Sequence, residues 1–139
     1  MFDLAAITIG LHLQSIHLPD RPWMNNQNYG IYALVDDIGV GVYKNTRRKT
    51  SAWIGYNIAP QSFKLGSIDL DCHVGFISGY DSSVVRYIAE DGTARKATNL
   101  QRYKVFIAPS ANMSLYKNVS GRLTVLPGVV HTQIEYKWK

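Results

Sequence analysis

The sequence predicts an all-β protein, an antiparallel up-and-down β-barrel of about eight strands that forms a single domain over residues 1–139. Short alternating segments recur along the chain and are separated by turn residues. No segment has the apolar spacing of a helix over a convincing length. Gly39, Gly41, Gly55 and Gly75 lie within strand patterns, which is typical of sheets that bend and close.

The strands follow one another in order. The first alternates from Ile7, with isoleucine and leucine on one face and Thr8, Gly10, His12 and Gln14 on the other. Further segments with strand character are Tyr29 to Asp36, Ile38 to Asn45, Thr50 to Ala59, Phe63 to Gly79, Arg102 to Ala108, Ala111 to Tyr116, Arg122 to Leu126 and Val129 to Trp138. Asp81 to Leu100 has no clear period and is predicted to be a long loop or excursion, a kind of segment that is often functional.

Composition limits the classes of function. The chain carries 15 Lys and Arg against 10 Asp and Glu, a net charge of +5, which favours contact with a protein or anionic ligand. Cys72 is the only cysteine, so an internal disulfide and a cysteine-based zinc site are excluded. No sequence-specific nucleic-acid motif and no cofactor motif is present, and we expect no cofactor.

The first 18 residues are mostly apolar, but Asp3, Thr8, His12 and Gln14 interrupt the run. A secretory signal has an early basic residue and a continuous apolar core, so we expect a soluble cytoplasmic protein of a bacterial host, with the outer membrane as the alternative. No stretch approaches the roughly 18 apolar residues of a transmembrane helix, whereas a membrane β-barrel stays open.

Basic and aromatic residues form a candidate binding face. Basic residues cluster in the turn after the third strand and in the long excursion, and Trp23 begins an Asn-rich loop that extends to Asn28. Loops held by a rigid scaffold are common binding sites. The predicted binding residues are Trp23, Arg47, Arg48, Lys49, Arg95 and Lys96.

Asp69, Asp71 and His73 alternate along one strand, so their side chains share a face at spacings of about 6 to 7 Å. Carboxylates and imidazoles suit a divalent cation or acid–base chemistry. Neighbours on one strand need ligands from adjacent strands to share an ion. We therefore predict no metal site, with these three residues as a weak candidate and a solvated strand face as the plainer interpretation.

Several short motifs in this order resemble those of the outer-membrane lipid A palmitoyltransferases, which are eight-stranded barrels, and of short barrel proteins from tailed bacteriophages. The motifs span Arg21 to Trp23, Tyr43 to Thr46, Ile54 to Tyr56, Gly75 to Tyr80, Ile107 to Pro109 and Leu126 to Gly128. The resemblance implies a histidine near the end of the first strand, here His17 or His12. It also implies an Asp-Ser pair after the third strand, where this chain has Asn45 and Thr46. Asparagine hydrogen-bonds but supplies no negative charge to a neighbouring imidazole.

Two functions stay open. The first, which the sequence favours, is a non-catalytic barrel that binds a partner, such as a phage-encoded accessory protein that contacts a host component. The second is an acyl-chain-handling enzyme in which His17, Asn45 and Thr46 are catalytic. A barrel that holds a hydrocarbon chain inside needs a continuously apolar lumen open at one end, and a packed lumen argues against that arrangement.

Overall fold

The computed structural model describes residues 6–59, 63–80, 83–99 and 103–138. Within these ranges all regular structure is β. The strands are β1 (Ile7–His17), β2 (Gly30–Val35), β3 (Ile38–Lys44), β4 (Thr50–Asn57), β5 (Lys64–Leu65), β6 (Ile68–Tyr80), β7 (Ser83–Ile88), β8 (Ala94–Asn99), β9 (Tyr103–Tyr116), β10 (Val119–Leu126) and β11 (Val129–Trp138). In these ranges no helix has the length and apolarity needed to cross a bilayer.

Eight strands close into one antiparallel ring, which confirms the predicted fold class. Neighbours around the ring are β1, β2, β3, β4, β6, β9, β10 and β11, and β11 pairs with β1 to close it. Closure gives each of these strands two partners and leaves the ring without a free edge. The short strand β5 pairs with β6 outside the ring, and β7 and β8 form a separate hairpin within the predicted excursion.

The predicted segment from Phe63 to Gly79 is divided into β5 and β6, and β9 joins two segments that the sequence separates. Arg102 to Ala108 and Ala111 to Tyr116 are predicted as separate segments because proline interrupts strand patterns, but the structure joins them in β9. Pro109 pairs with Cys72 of β6, while the ladder between β9 and β10 begins at Ser110. The proline therefore stands just beyond the ladder between β9 and β10.

The two ends of the barrel differ. At one end β1 begins, β11 ends, and the two-residue connections 36–37 and 117–118 join neighbouring strands. The longer connection between β4 and β6, which carries β5, lies at the same end. At the other end lie the long connection 18–29, the turn 45–49, the segment that carries the hairpin β7–β8, and the turn 127–128. We call the first the short-turn end and the second the mouth.

The barrel is apolar outside and polar inside. Ile9, Leu11, Val40, Ile54 and Ile134 point outward and are 38–52% exposed. Buried positions are mostly polar or charged, and include all four histidines of the chain, His12, His17, His73 and His131. This distribution is the reverse of the one that stabilises a barrel in water.

An ionic network fills part of the lumen. The Arg122 guanidinium donates to both carboxylate oxygens of Asp71 at 2.7 and 2.8 Å and to Glu135 Oε1 at 2.5 Å. Glu135 also accepts from the Tyr32 hydroxyl at 2.7 Å and from the Asn112 amide at 2.5 Å. Each charge in this network is thus paired and hydrogen-bonded, as burial of a charge requires.

A second polar chain and a group of aromatic rings occupy the middle of the lumen. Thr124 donates to Gln133 at 2.8 Å, and the Gln133 amide lies 3.2 Å from His12 Nδ1. Beside them remains a cavity of about 60 Å³, which has room for roughly two water-sized groups. A lumen filled in this way does not provide the continuous hydrocarbon-lined interior that an internal acyl chain needs.

Small residues make space for the rings. A Cβ atom on Gly39 or Gly41 would lie 2.6–2.9 Å from the Trp53 ring, and one on Gly55 would lie 2.9 Å from the Phe106 ring. The glycine spacing in the sequence therefore reflects close packing inside the ring.

Candidate active site at the barrel mouth

His17 reaches the lumen because β1 contains a bulge. The pairing of β1 with β11 shifts between His12 and Gln14, so the inward positions change from Gly10 and His12 to Ser15 and His17. Strict alternation would place His17 on the outer face with Leu11. The bulge instead buries its ring at the mouth.

The turn between β3 and β4 supplies Thr46. Its main chain is held by the Asn-rich loop, since Asn25 N–H donates to the Thr46 carbonyl at 2.8 Å. The same loop is fixed to β1 by a bond from Ser15 N–H to the Asn26 carbonyl at 2.9 Å. Asn28 is fully buried between the strands, where its amide donates to the Lys44 carbonyl at 2.6 Å and its oxygen meets the Ser15 hydroxyl.

These elements bring three side chains into a row. His17 Nε2 lies 2.9 Å from Thr46 Oγ1, and His17 Nδ1 lies 2.5 Å from Asn26 Oδ1. The Tyr80 hydroxyl is also within hydrogen-bonding reach of Thr46, and it lies 2.9 Å from the Tyr43 hydroxyl. A hydroxyl next to an imidazole whose far nitrogen is held by a third group is the arrangement of an activated nucleophile, a general base and an orienting residue.

Asn45 has a different set of contacts. Its amide nitrogen donates to Ser51 Oγ at 3.0 Å and to the Gly79 carbonyl at 2.8 Å, while its oxygen accepts from Arg47 and Lys49 N–H at 2.9 and 3.0 Å. The side chain is fully buried. These four bonds explain Asn45 as the residue that shapes the turn and ties it to β6.

A pocket of about 850 Å³ opens beside His17 and Thr46. Its walls are largely apolar and include Ile77, Phe106, Leu126 and Val129. Arg21, Trp23, Arg47 and Tyr80 add polar and aromatic groups. The volume is in the range of pockets that hold small organic ligands.

The structure divides the predicted binding residues into two groups. Trp23 and Arg47 line the pocket, and the buried Arg47 guanidinium lies 5.5 Å from the centre of the Tyr80 ring. Arg48 and Lys49 are exposed on the turn. Arg95 pairs with Asp91 at 2.7 Å in the hairpin β7–β8, and Lys96 is exposed on β8. Two of the six predicted binding residues thus line the pocket, and the other four lie on the turn or in the hairpin.

Asp69, Asp71 and His73 do not converge. Asp71 faces Arg122 and lies 3.5 Å from His73 Nδ1 inside the barrel, whereas the exposed Asp69 pairs with Lys64 at 3.4 Å. Among the described residues no group of three histidine, cysteine or acidic side chains is placed to hold a metal ion. His73 is buried and Asp71 is partly buried inside the barrel, so the two side chains do not lie on a fully solvated face.

Asn26 is the functional candidate that sequence reasoning missed. It lies in the loop that was predicted to bind ligand, and nothing in a run of asparagine and glutamine residues distinguishes one amide from the next. Only the return of the loop across the mouth brings Asn26 next to His17.

Comparison with known proteins adds no identification, because no family model and no curated protein matches this chain.

Proposed function

We propose that this protein is a membrane-spanning β-barrel whose mouth carries an acyl-ester hydrolase or acyltransferase site, with Thr46 as nucleophile and His17 as general base. The observation that carries the proposal is the 2.9 Å contact between His17 Nε2 and Thr46 Oγ1 at the edge of a largely apolar pocket. It favours the enzymatic function over the binding module that the sequence favoured.

The outer wall supports a membrane location. Outward side chains on β1 run from Ile7 to Ile16. Nine residue steps span about 30 Å along a strand, or about 23 Å along the axis at a tilt of about 40°. The apolar band of an outer-membrane barrel is about 25 Å tall.

Aromatic side chains support the same orientation. Tyr56, Tyr116, Tyr136 and Trp138 are outward-facing and 45–66% exposed near the short-turn end, where an aromatic girdle is expected. Two of the three connections at this end are two residues long, and outer-membrane barrels combine short turns on one side with longer loops on the other. The proposal thus adopts the outer-membrane alternative in place of the soluble cytoplasmic one.

The chemistry follows from the row of three side chains. As Thr46 Oγ bonds to the carbonyl carbon of an ester, its proton passes to His17 Nε2. Collapse of the tetrahedral intermediate breaks the ester C–O bond, and the leaving alcohol takes that proton. Water or a second alcohol then releases the acyl group from Thr46 while His17 again removes and returns one proton.

The pocket indicates the kind of ester. Its ionisable lining side chains among the described residues are His17, Arg21, Arg47 and Tyr80, with no carboxylate. Two guanidinium groups and otherwise mostly apolar walls suit an amphiphile whose ester lies near a phosphate or carboxylate. Because the lumen is filled, we place the acyl chain in the mouth pocket and along the outer wall.

Turnover by the protein in detergent micelles tests the proposal. The probes are 4-nitrophenyl octanoate and mixed micelles of phosphatidylglycerol or phosphatidylcholine, with release of nitrophenolate or fatty acid as the readout. We expect hydrolysis, with phosphatidylglycerol preferred. His17→Ala should lower kcat by about 10²- to 10⁴-fold, the usual contribution of a positioned acid–base group. Thr46→Val, which has no hydroxyl to be acylated, should lower kcat at least as much.

Thr93→Val is the matched control, since Thr93 is an exposed threonine in the hairpin β7–β8. It should leave kcat unchanged. If folded wild-type protein hydrolyses none of the probes, or if Thr46→Val retains full turnover, catalysis by this site is refuted. Binding of phosphatidylglycerol without hydrolysis would instead favour the binding module.

A further inference from the structure

The hydrogen bonds around His17 extend one residue beyond Asn26. Asn26 Nδ2 lies 3.4 Å from a carboxylate oxygen of Asp20, and Asn26 Oδ1 faces His17 Nδ1. Asp20 is exposed on the loop, whereas His17 is buried. The row therefore runs from solvent to the pocket in the order Asp20, Asn26, His17, Thr46.

The chemistry of these groups gives the row a direction. An ionised carboxylate only accepts hydrogen bonds, so the Asn26 amide nitrogen turns toward Asp20. The amide oxygen then faces His17 and accepts from Nδ1–H. With its proton on Nδ1, the neutral imidazole has a free lone pair on Nε2, which accepts the Thr46 hydroxyl proton.

We propose that Asp20 and Asn26 are positioning residues that hold His17 in the Nδ1–H tautomer and thereby orient its basic nitrogen toward Thr46. This inference rests on the proposed function. The resemblance implies an aspartate where this chain has the neutral Asn45. Asp20 supplies a negative charge instead, which acts on the His17 imidazole through the Asn26 amide.

The loop geometry supports a positioning role. The Asn26 carbonyl is bonded to β1 through Ser15 N–H, and its neighbour Asn25 is bonded to the Thr46 carbonyl. Asn25 Nδ2 also donates to the Gln27 carbonyl at 2.8 Å, which stiffens the loop. Asn26 is thus fixed to the two elements that carry the base and the nucleophile.

The test reads the tautomer directly. Protein labelled with ¹⁵N-histidine in detergent micelles gives two-bond ¹H–¹⁵N spectra in which Nδ1–H and Nε2–H tautomers have distinct patterns, and His17→Gln assigns the signals of His17. We expect Nδ1–H for wild type and for Asn26→Asp, whose carboxylate also accepts from Nδ1–H. Asn26→Leu, which removes the acceptor, should shift His17 toward Nε2–H, and Asp20→Asn should shift it in part.

Gln27→Ala is the matched control, because Gln27 is an exposed amide in the same loop. It should leave the tautomer unchanged. Ester turnover measured on the same samples should fall about 10- to 100-fold in kcat for Asn26→Leu, with a small change in KM, and recover in part in Asn26→Asp.

The two readouts separate the two proposals. An Nε2–H tautomer in wild type, or an Asn26→Leu protein with an unchanged His17 signal, overturns the positioning role whether or not the enzyme turns over. An Nδ1–H tautomer that depends on Asn26, in a protein with no turnover, leaves the orientation of His17 standing and refutes the proposed reaction.

Discussion

Replacing Leu11 by arginine tests whether the outer wall of the barrel faces lipid. Leu11 points outward from β1 and is 46% exposed. It lies four residue steps from Ile7 and five from Ile16, so it stands near the middle of the apolar band. Its ladder partners Ile31 and Ile134 are also apolar and outward-facing.

The size of the effect distinguishes the two environments. An arginine on the lipid face of a barrel costs about 2–4 kcal/mol near the bilayer midplane. The same change at an exposed position in water alters the free energy of unfolding by less than about 0.5 kcal/mol. Ile88→Arg provides the matched control, because Ile88 is 75% exposed in the hairpin β7–β8, outside the ring.

The assay is reversible urea unfolding in phospholipid vesicles, followed by fluorescence of the three tryptophans. We expect Leu11→Arg to lower the free energy of unfolding by about 2–4 kcal/mol. Ile88→Arg should stay within about 0.5 kcal/mol of wild type. Equal, near-zero effects of both substitutions would refute the membrane location, and so would a wild-type protein that stays folded and monomeric in water without detergent.

Three further predictions concern the interior and the turn. Glu135→Ala removes the carboxylate that accepts hydrogen bonds from Arg122, Tyr32 and Asn112. It should lower the free energy of unfolding by about 3–5 kcal/mol in the same assay, because the buried Arg122 charge loses part of its compensation. A decrease below about 1 kcal/mol would contradict the network. Gly75→Val should prevent folding, because a Cβ there meets the Ile54 carbonyl and lies 2.6 Å from the Gly55 Cα. Gly121→Ala is the control and should fold, because its Cβ has only Leu115 side-chain atoms within 4 Å. The heat-dependent electrophoretic shift of folded barrels measures folding of both variants. Asn45→Ala should lower the free energy of unfolding by about 1–3 kcal/mol, because the hydrogen bonds of Asn45 in the turn are lost. The folded fraction should keep its kcat. A large loss of kcat in fully folded protein would restore the catalytic role that the resemblance implied for Asn45.

The fold was predictable because a closed antiparallel sheet is built from local patterns. Most strands of the ring show a period of two, and the tight turns carry residues suited to them, such as Asp36 with its positive φ. The strands β7 and β8 lie outside the ring, in a segment whose sequence has no clear period. The join across Pro109 was missed because a proline interrupts a strand pattern whether or not a hydrogen bond is lost there.

The candidate site was predictable only in part. The resemblance to the palmitoyltransferases implied Thr46 together with either His17 or His12, and the structure brings His17 within hydrogen-bonding distance of Thr46. Their catalytic roles, and the resemblance itself, stay predictions. The fold of the loop brings Asn26 to His17 and Asp20 to Asn26. No feature of the loop sequence distinguishes these two polar side chains from their neighbours.

The sequence by itself determined most strands of the ring, their order and their two faces, because alternation is a local property. Which face points inward was decided only by the closed ring. An apolar strand face can pack in the core of a soluble protein or face lipid. In the closed ring these faces point outward, and the lumen holds Arg122 and Glu135, whose buried charges pair with each other. The bulge after His12 then reverses the alternation and places His17 at the mouth, because one extra residue in a strand exchanges its inner and outer faces.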